Sequence, residues 1–340
     1  AGMSRDEVHI TLEHLCTQFM RVHENTHTHG TKEIYENTIN RLKAFFHPSV
    51  PIKTIQQVHA EEFIAQVNYV RKEYEGKTST LSDSARNIHL RNAKRIFNKA
   101  KEWKYIIDNP FEKIKQVKPS RKYWHRITID EFKRILENTH SLKDKAFYSI
   151  QYGCGLREGE ALNILIHSQC IDFEKNMIRL YNRPATQDIP PFTLKDKESR
   201  TITMPNWVKD LLQQLYQEHD PQVPFLFMTK DRWKIVKSKW DKMRKEGNSK
   251  KWQNHHLGNN MIREFKKRCK KAGIKTHEKL MLHCLRKSWA CNLAENGIGN
   301  KTLLELGGWS DVRVLDEFYS MASEANKKKA VEVLYRLMGE

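Results

Sequence analysis

Apolar residues in the first third of the chain recur at helical spacing. Val8, Leu12, Leu15, Phe19 and Val22 mark one helix, opened by a Ser4–Glu7 capping box. Ile34, Tyr35, Ile39, Leu42, Phe45 and Phe46 mark a second, which ends before Pro48. Phe63, Ile64, Val67 and Val70 mark a third, interrupted by Gly76 and a Ser/Thr-rich stretch. A longer helix is predicted over 82–103, with Ile88, Ala93, Ile96, Phe97 and Ala100 facing inward. Asn109-Pro110 stops this helical run. A second capping box, Thr128 with Glu131, then opens helices over 129–138 and 142–152. Strand-like runs at 177–181, 192–195 and 201–204, separated by turn-rich segments, predict a small antiparallel sheet. From Asn206 the pattern returns to helix. The fold class is therefore mainly α with a small antiparallel β-sheet.

A chain of 340 residues suits two domains. The pattern places a helical domain at 1–112, a basic linker at 113–126 carrying Pro119, Tyr123 and Trp124, and a second domain at 127–340. The formal net charge of +19 points to a polyanionic partner, because Lys and Arg displace the counterions condensed on phosphates. The basic residues are spread along the chain, which argues against membrane docking by one amphipathic helix. Candidate nucleic-acid contacts are Arg86, Arg91, Lys94 and Arg95 on the long helix and Lys118, Arg121 and Lys122 in the linker; a solvated connector is the alternative. No stretch approaches the roughly 20 apolar residues of a membrane span. The six cysteines form no CxxC pair, so a zinc ribbon or disulfide framework is not expected, and reduced thiols suit a cytoplasmic location.

Four elements of the second domain carry chemistry. Arg157 and Glu160, in Gly155-Leu156-Arg157-Glu158-Gly159-Glu160, share a helix face, so the Glu can hold a guanidinium toward a phosphate. A plain surface ion pair has the same spacing. Lys195 and Lys197 lie on a probable hairpin turn, where a lysine can enter a groove and donate a proton, or simply be solvated. His283 and Arg286 project together, joining a group that titrates near neutrality to a phosphate ligand; helix capping is the other reading. Leu306-Gly307-Gly308-Trp309 supplies an indole donor, followed by Tyr319, whose hydroxyl can attack phosphorus or whose ring can pack in a core.

In this order the elements resemble the tyrosine recombinase, or phage integrase, family over about 128 to the C-terminus. The helical first third resembles that family's core-binding domain in its Asn-Ala-Lys-Arg-Ile-Phe-Asn-Lys-Ala run and later Asp-Asn-Pro-Phe. The resemblance implies a two-domain, C-shaped DNA clamp that cuts and rejoins DNA through a 3′-phosphotyrosine on Tyr319 and a Holliday junction. Arg157 and Arg286 would clamp the phosphate, with Glu160 buttressing Arg157. Lys195, five residues before Arg200, would be the general acid, with Lys197 its rival. His283 would assist proton transfer, Trp309 would fill the His/Trp position, and Arg200 would contact DNA. No metal, ATP or other cofactor is implied. The partners would be double-stranded DNA with an inverted-repeat site and a homo-tetramer joined by exchange of C-terminal helices, in a prokaryotic, nucleoid-associated setting. The segment 182–191 is longer than the family's usual hairpin, and Trp309 to Tyr319 spans one residue more than usual. Alternatives are a type IB topoisomerase, a telomere resolvase, or a catalytically silent DNA-binding protein.

Three further features remain. Lys230 to Lys251 is basic and interleaved with Trp233, Trp240 and Trp252, which suits either a DNA-contacting helix or a solvated helix with inward rings. His23, His27 and His29 have metal-ligand spacing but no completing Cys or carboxylate, and are expected at a helix end. Ala330, Val333, Leu334, Leu337 and Met338 form an apolar stripe near the C-terminus, expected to dock on a neighbouring protomer or on its own domain. The first helix begins close to Met3, so a separate arm-binding domain is not expected, which favours a simple recombinase acting on short inverted repeats.

Overall fold

The computed structural model describes residues 10–24, 26–67, 81–119, 124–166, 169–195, 197–258 and 260–315. The chain separates into two units, Ala1–Lys122 and Tyr123–Glu340.

The described part of unit 1 is helical: α1 (Leu12–Val22), α2 (His29–Phe46), α3 (Gln57–Gln66) and α4 (Asp83–Glu102). Helix α1 starts where the Thr11 hydroxyl accepts from the His14 amide, a conventional N-cap. The Ser4–Glu7 box, Val8 and Val70 lie outside the described residues. Ser82 caps α4 by accepting from the Ala85 amide, and Trp103 ends it, so this helix has the expected bounds. Leu12, Leu15, Phe19, Leu42, Phe63, Ala93, Ile96, Phe97 and Phe111 fill one core. Some expected core positions differ, Ile34 of α2 being nearly half exposed. Val22 is half exposed, because α1 ends there, and Ile88 is only partly buried. Asn87, His89 and Leu90 take the buried face instead.

Thr38, Asn87 and His89, buried polar residues of this unit, all find hydrogen-bond partners. The Thr38 hydroxyl and His89 Nδ1 lie 2.9 Å apart, joining α2 to α4, and Asn92 donates to Thr38 over 3.0 Å. The Asn87 amide exchanges two hydrogen bonds with the backbone of Val117. Residues up to 117 are thereby tied to α4, although the sequence pattern assigned 113–126 to a linker.

Unit 2 contains α5 (Ile129–Glu137), α6 (Leu142–Cys154), α7 (Glu158–Leu162), β1 (Ile171–Asp172), β2 (Met177–Leu180), β3 (Arg200–Thr203), α8 (Asn206–Glu218), α9 (Lys230–Lys245), α10 (Met261–Lys271), α11 (His283–Glu295) and α12 (Asn300–Gly307). Its entry is anchored early. Arg126 pairs with Glu295 and donates to Asn292 over 2.5 Å, and the Ile127 amide donates to Ser288. Residues 124–126, expected in the linker, pack here: Trp124 lies on the core and Lys287 sits over its ring at 5.3 Å. The predicted Thr128–Glu131 capping box opens α5. Helix α6 is the hub, with Phe147, Tyr148, Ile150 and Gln151 all buried.

The sheet is antiparallel in the order β1-β2-β3, with Ile178 opposite Ile202 and Leu180 opposite Arg200. The expected strand at 192–195 is absent; Phe192 makes only an isolated bridge to Arg183. Pro184, Pro190 and Pro191 have no N–H to extend a ladder, which explains the break. Strand β1, too short for a visible alternation, takes the edge instead. In α9, Trp240 is fully buried and Trp252 beyond it nearly so, while Trp233 is partly buried against the same core. These rings pack inward, because positions 233, 236 and 240 share a helix face.

Candidate active site

Three chain segments bring arginines to one buried carboxylate, that of Glu160. Helix α6 ends at Cys154, and Gly155 turns the chain with φ of +67°. A Cβ on Gly155 would stand 2.4 Å from the Trp289 ring, so both conformation and space require glycine. The turn delivers Arg157 to the N-cap of α7. Its backbone amide donates to Glu160 Oε2 at 2.8 Å and its Nη1 to Glu160 Oε1 at 2.8 Å. Arg200, at the start of β3, donates from Nη2 to Glu160 Oε2 at 2.7 Å. Arg286, one turn into α11, brings Nη1 to 3.8 Å from the same oxygen.

Glu160 is 3% exposed and Arg286 0% exposed. Arg157 and Glu160 are thus not the surface ion pair that their spacing allows. Burial pushes the Glu160 carboxyl up. Arg200, Arg286 and the Arg157 amide outweigh it, and the carboxyl titrates below the usual range. Two of the three guanidiniums, those of Arg157 and Arg286, are also held by glycine carbonyls of two motifs. Arg157 Nη2 donates to Gly308 O at 2.6 Å, and Arg286 donates to Gly155 O and Gly307 O. Gly308 has φ of +60°, and a Cβ there would stand 2.8 Å from Arg200 Nη1. The Trp309 ring covers the Arg286 guanidinium at 4.2 Å and leans on Trp289, with centroids 6.1 Å apart. Three cations against one anion leave the cluster strongly positive.

His283 opens α11, one turn before Arg286. Its residue surface is open to solvent, yet crowding of its ring by protein atoms is the first cause of a pKa lowered to about 4. The nearby charges of Arg286, Lys287, Arg157 and Lys195 act in the same direction. The imidazole is therefore neutral at pH 7 and able to accept a proton. Lys195 is exposed on a turn closed by the Lys197 amide donating to Leu194 O at 3.0 Å. Lys197 is exposed as well.

The structure thus brings together Arg157, Glu160, Arg286, Trp309 and, through charge, His283 and Lys195. Tyr319, Arg121, Lys122 and the segment 325–340 lie outside the described residues. Arg200, expected to contact DNA, has a side chain that is 11% exposed and bound to Glu160, where strand β3 begins beside α12. Its part in the cluster, and the parts of the three glycine carbonyls, escaped sequence reasoning. Gly-Leu-Arg and Leu-Gly-Gly-Trp named the glycines without showing that their carbonyls face guanidiniums. In unit 1, Arg91, Arg95 and Lys118 are exposed; Arg86 and Lys94 are partly buried, with Lys94 Nζ donating to Glu112 O at 2.9 Å. His23 and His27 stack on each other at 4.8 Å, His27 stacks on Tyr35, and His29 faces Glu33 at 3.3 Å. Among the described residues no group of three His, Cys, Asp or Glu could hold a metal ion.

Comparison with known proteins defines the class. Residues 125–325 match the phage integrase family, and residues 11–117 match the phage integrase SAM-like domain. The chain belongs to the phage integrase family and is a site-specific recombinase of the tyrosine type. It is 27% identical to a tyrosine recombinase XerC-like protein of Caldanaerobacter subterraneus subsp. tengcongensis, over 78% of this chain and 68% of that protein. It is 23% identical to a tyrosine recombinase of Thermosipho africanus, over 89% and 92%. The fold is that of the Tn1549 transposon integrase solved with transposon right end DNA, at TM-score 0.71 and 19% identity over 96% of this chain and 99% of that one. A lambda integrase dimer bound to a COC′ core site superposes at TM-score 0.59 and 14% identity, over 89% and 96%. No described helix is long and apolar enough to cross a membrane.

Proposed function

We propose that Arg157, Arg286, Lys195, His283 and Tyr319 perform DNA strand transfer, with Arg200 and Glu160 holding the arginines in place. The observation that supports this most is the gathering of three guanidiniums from distant segments on the single buried carboxylate of Glu160. In the reaction the Tyr319 oxygen bonds to phosphorus and the bond from phosphorus to the 5′ oxygen breaks. The neutral His283 ring takes the phenol proton, and the Lys195 ammonium gives a proton to the leaving 5′ oxygen. Negative charge that builds on the non-bridging oxygens meets preorganised cations. Arg157 lies at the edge of the cluster, whereas Arg286 is fully covered, so its contact with a phosphate requires Trp309 to move off its face. A 5′ hydroxyl from a second duplex then reverses the steps and reseals the strand.

The substrate is double-stranded DNA carrying an inverted-repeat site. The assembly is a tetramer in which the apolar stripe at 330–338 docks on a neighbouring protomer. Unit 1 grips the duplex through exposed residues such as Arg91 and Arg95, and binding weakens steeply with salt. The test uses nicked suicide duplexes bearing the protein's own site. A covalent adduct that is lost in Tyr319→Phe supports strand transfer. No adduct on any site-bearing duplex rejects it, and relaxation of supercoils without joint molecules identifies a topoisomerase instead.

A further inference from the structure

We propose that Asn182 is a positioning residue for the Lys195 ammonium, and that its neighbour Arg183 ties the same turn to helix α7. This rests on Lys195 being the proton donor. Asn182 follows β2 and faces the lysine turn. Its Oδ1 accepts from the Leu194 amide at 2.8 Å, and its Nδ2 donates to the Lys197 carbonyl at 2.7 Å. The two bonds fall on either side of Lys195, so one side-chain amide brackets the residue. Lys197 adopts φ of +60°, which an L side chain disfavours and which the bond to its carbonyl helps to hold.

Arg183 fixes the base of this bracket. Its backbone pairs in both directions with Phe192, at 2.7 and 2.9 Å. Its guanidinium donates to Asn163 O at 3.2 Å and to Asn163 Oδ1 at 3.0 Å. Asn163 is the C-cap of α7, the helix that Arg157 opens and that carries Glu160. On the far side of the turn, Arg200 meets Glu160 at 2.7 Å. Both flanks of the lysine turn are thus fastened to the helix that organises the arginines, and Asn182 sets the turn between them. Asn182 itself is exposed, so water can replace its partners and the core does not depend on it. Its contribution lies in where the ammonium sits, and a displacement of about 1 Å costs on the order of 100-fold in rate when a reacting group is misplaced.

The test compares two leaving groups in the full-length protein. A cleavable duplex is selected from a random pool by covalent capture on the wild-type protein, then remade with sulfur in place of the bridging 5′ oxygen. A thiolate leaves without a proton, so the sulfur substrate needs no general acid. Lys195→Ala is expected to be slowed about 10²- to 10⁴-fold on oxygen and restored on sulfur. If sulfur does not restore it, the reading of Lys195 fails and this role for Asn182 fails with it. Given that restoration, Asn182→Ala is expected to be slowed at least about tenfold on oxygen, a part of the general-acid effect, and to approach wild type on sulfur. A wild-type rate on oxygen, or equal slowing on both substrates, overturns the proposal. Asn182→Asp keeps the acceptor and loses the donor, so an intermediate ratio is expected, and that ratio decides if the Ala variant does not fold.

Discussion

Unit 1 closes its core around neutral polar groups, whereas unit 2 encloses charges. Thr38, Asn87 and His89 each meet a hydrogen-bond partner in unit 1, and their bonds join helices or pin a following segment. Glu160 and Arg286 are buried just as deeply, but desolvating an ion costs far more than desolvating an amide or hydroxyl. A core needs no such cluster for packing. Polar burial in unit 1 holds helices together, while in unit 2 it fixes an excess of positive charge in one arrangement, as the proposed phosphate contact requires.

The comparison can be broken most directly at Glu160. Glu160→Ala leaves three guanidiniums without their carboxylate, and a loss of about 3–5 kcal/mol is expected, as for a buried ion pair stripped of one partner. Denaturant midpoints measure it. If Asn87→Ala costs as much, the distinction between the units disappears. Arg286→Lys keeps the charge but loses the planar fork that meets two glycine carbonyls. Single-turnover cleavage is expected to fall about 10²- to 10³-fold, the scale of losing one oxyanion donor.

Acid should act on the units in different ways. Burial first, then Arg41, lowers the pKa of His89 from 6.5 to about 4. The folded chain therefore stays neutral where the unfolded chain takes up a proton. Stability of unit 1 is intact above about pH 6.5 and falls as pH drops toward 4, by at most about 3 kcal/mol from this residue. His89→Gln should flatten that dependence in a urea titration at several pH values. Cleavage, by contrast, should keep its acid limb near the lowered pKa of His283, and a limb at 6.5 would show that its ring is not held neutral. The smallest effect sharpens the place of Arg200. Arg200→Ala is expected to lower stability by about 1.5–3 kcal/mol, the worth of a charged hydrogen bond, without changing the salt slope of DNA binding. A slope reduced by about one would return Arg200 to the DNA surface.

Much of the site was legible because its parts are local. Arg157 and Glu160 fall within one turn, as do His283 and Arg286, and the capping box at Thr128 marked the start of α5 correctly. The break at 192–195 was not legible as such, because alternation suggested a strand there while the prolines beside it withheld the N–H groups a ladder needs. The pairing of Arg200 with Glu160 was not legible for a related reason. The side-chain direction of Arg200 depends on the register of β3 against β2 and on the approach of α12, and neither is written in the neighbouring residues.

The order of residues along the chain already carried the helical character of both units, the Thr128 cap, the basic excess and the sequence of chemical residues. These follow from periodicity and short-range hydrogen bonding, which act over one or two turns. Packing in three dimensions settled that Arg157, Arg200 and Arg286 share one carboxylate, that glycine carbonyls from two separate motifs hold Arg157 and Arg286, and that the tryptophans near α9 point inward. Those outcomes depend on which surfaces meet when water is excluded, a property of the packed chain and not of any segment within it.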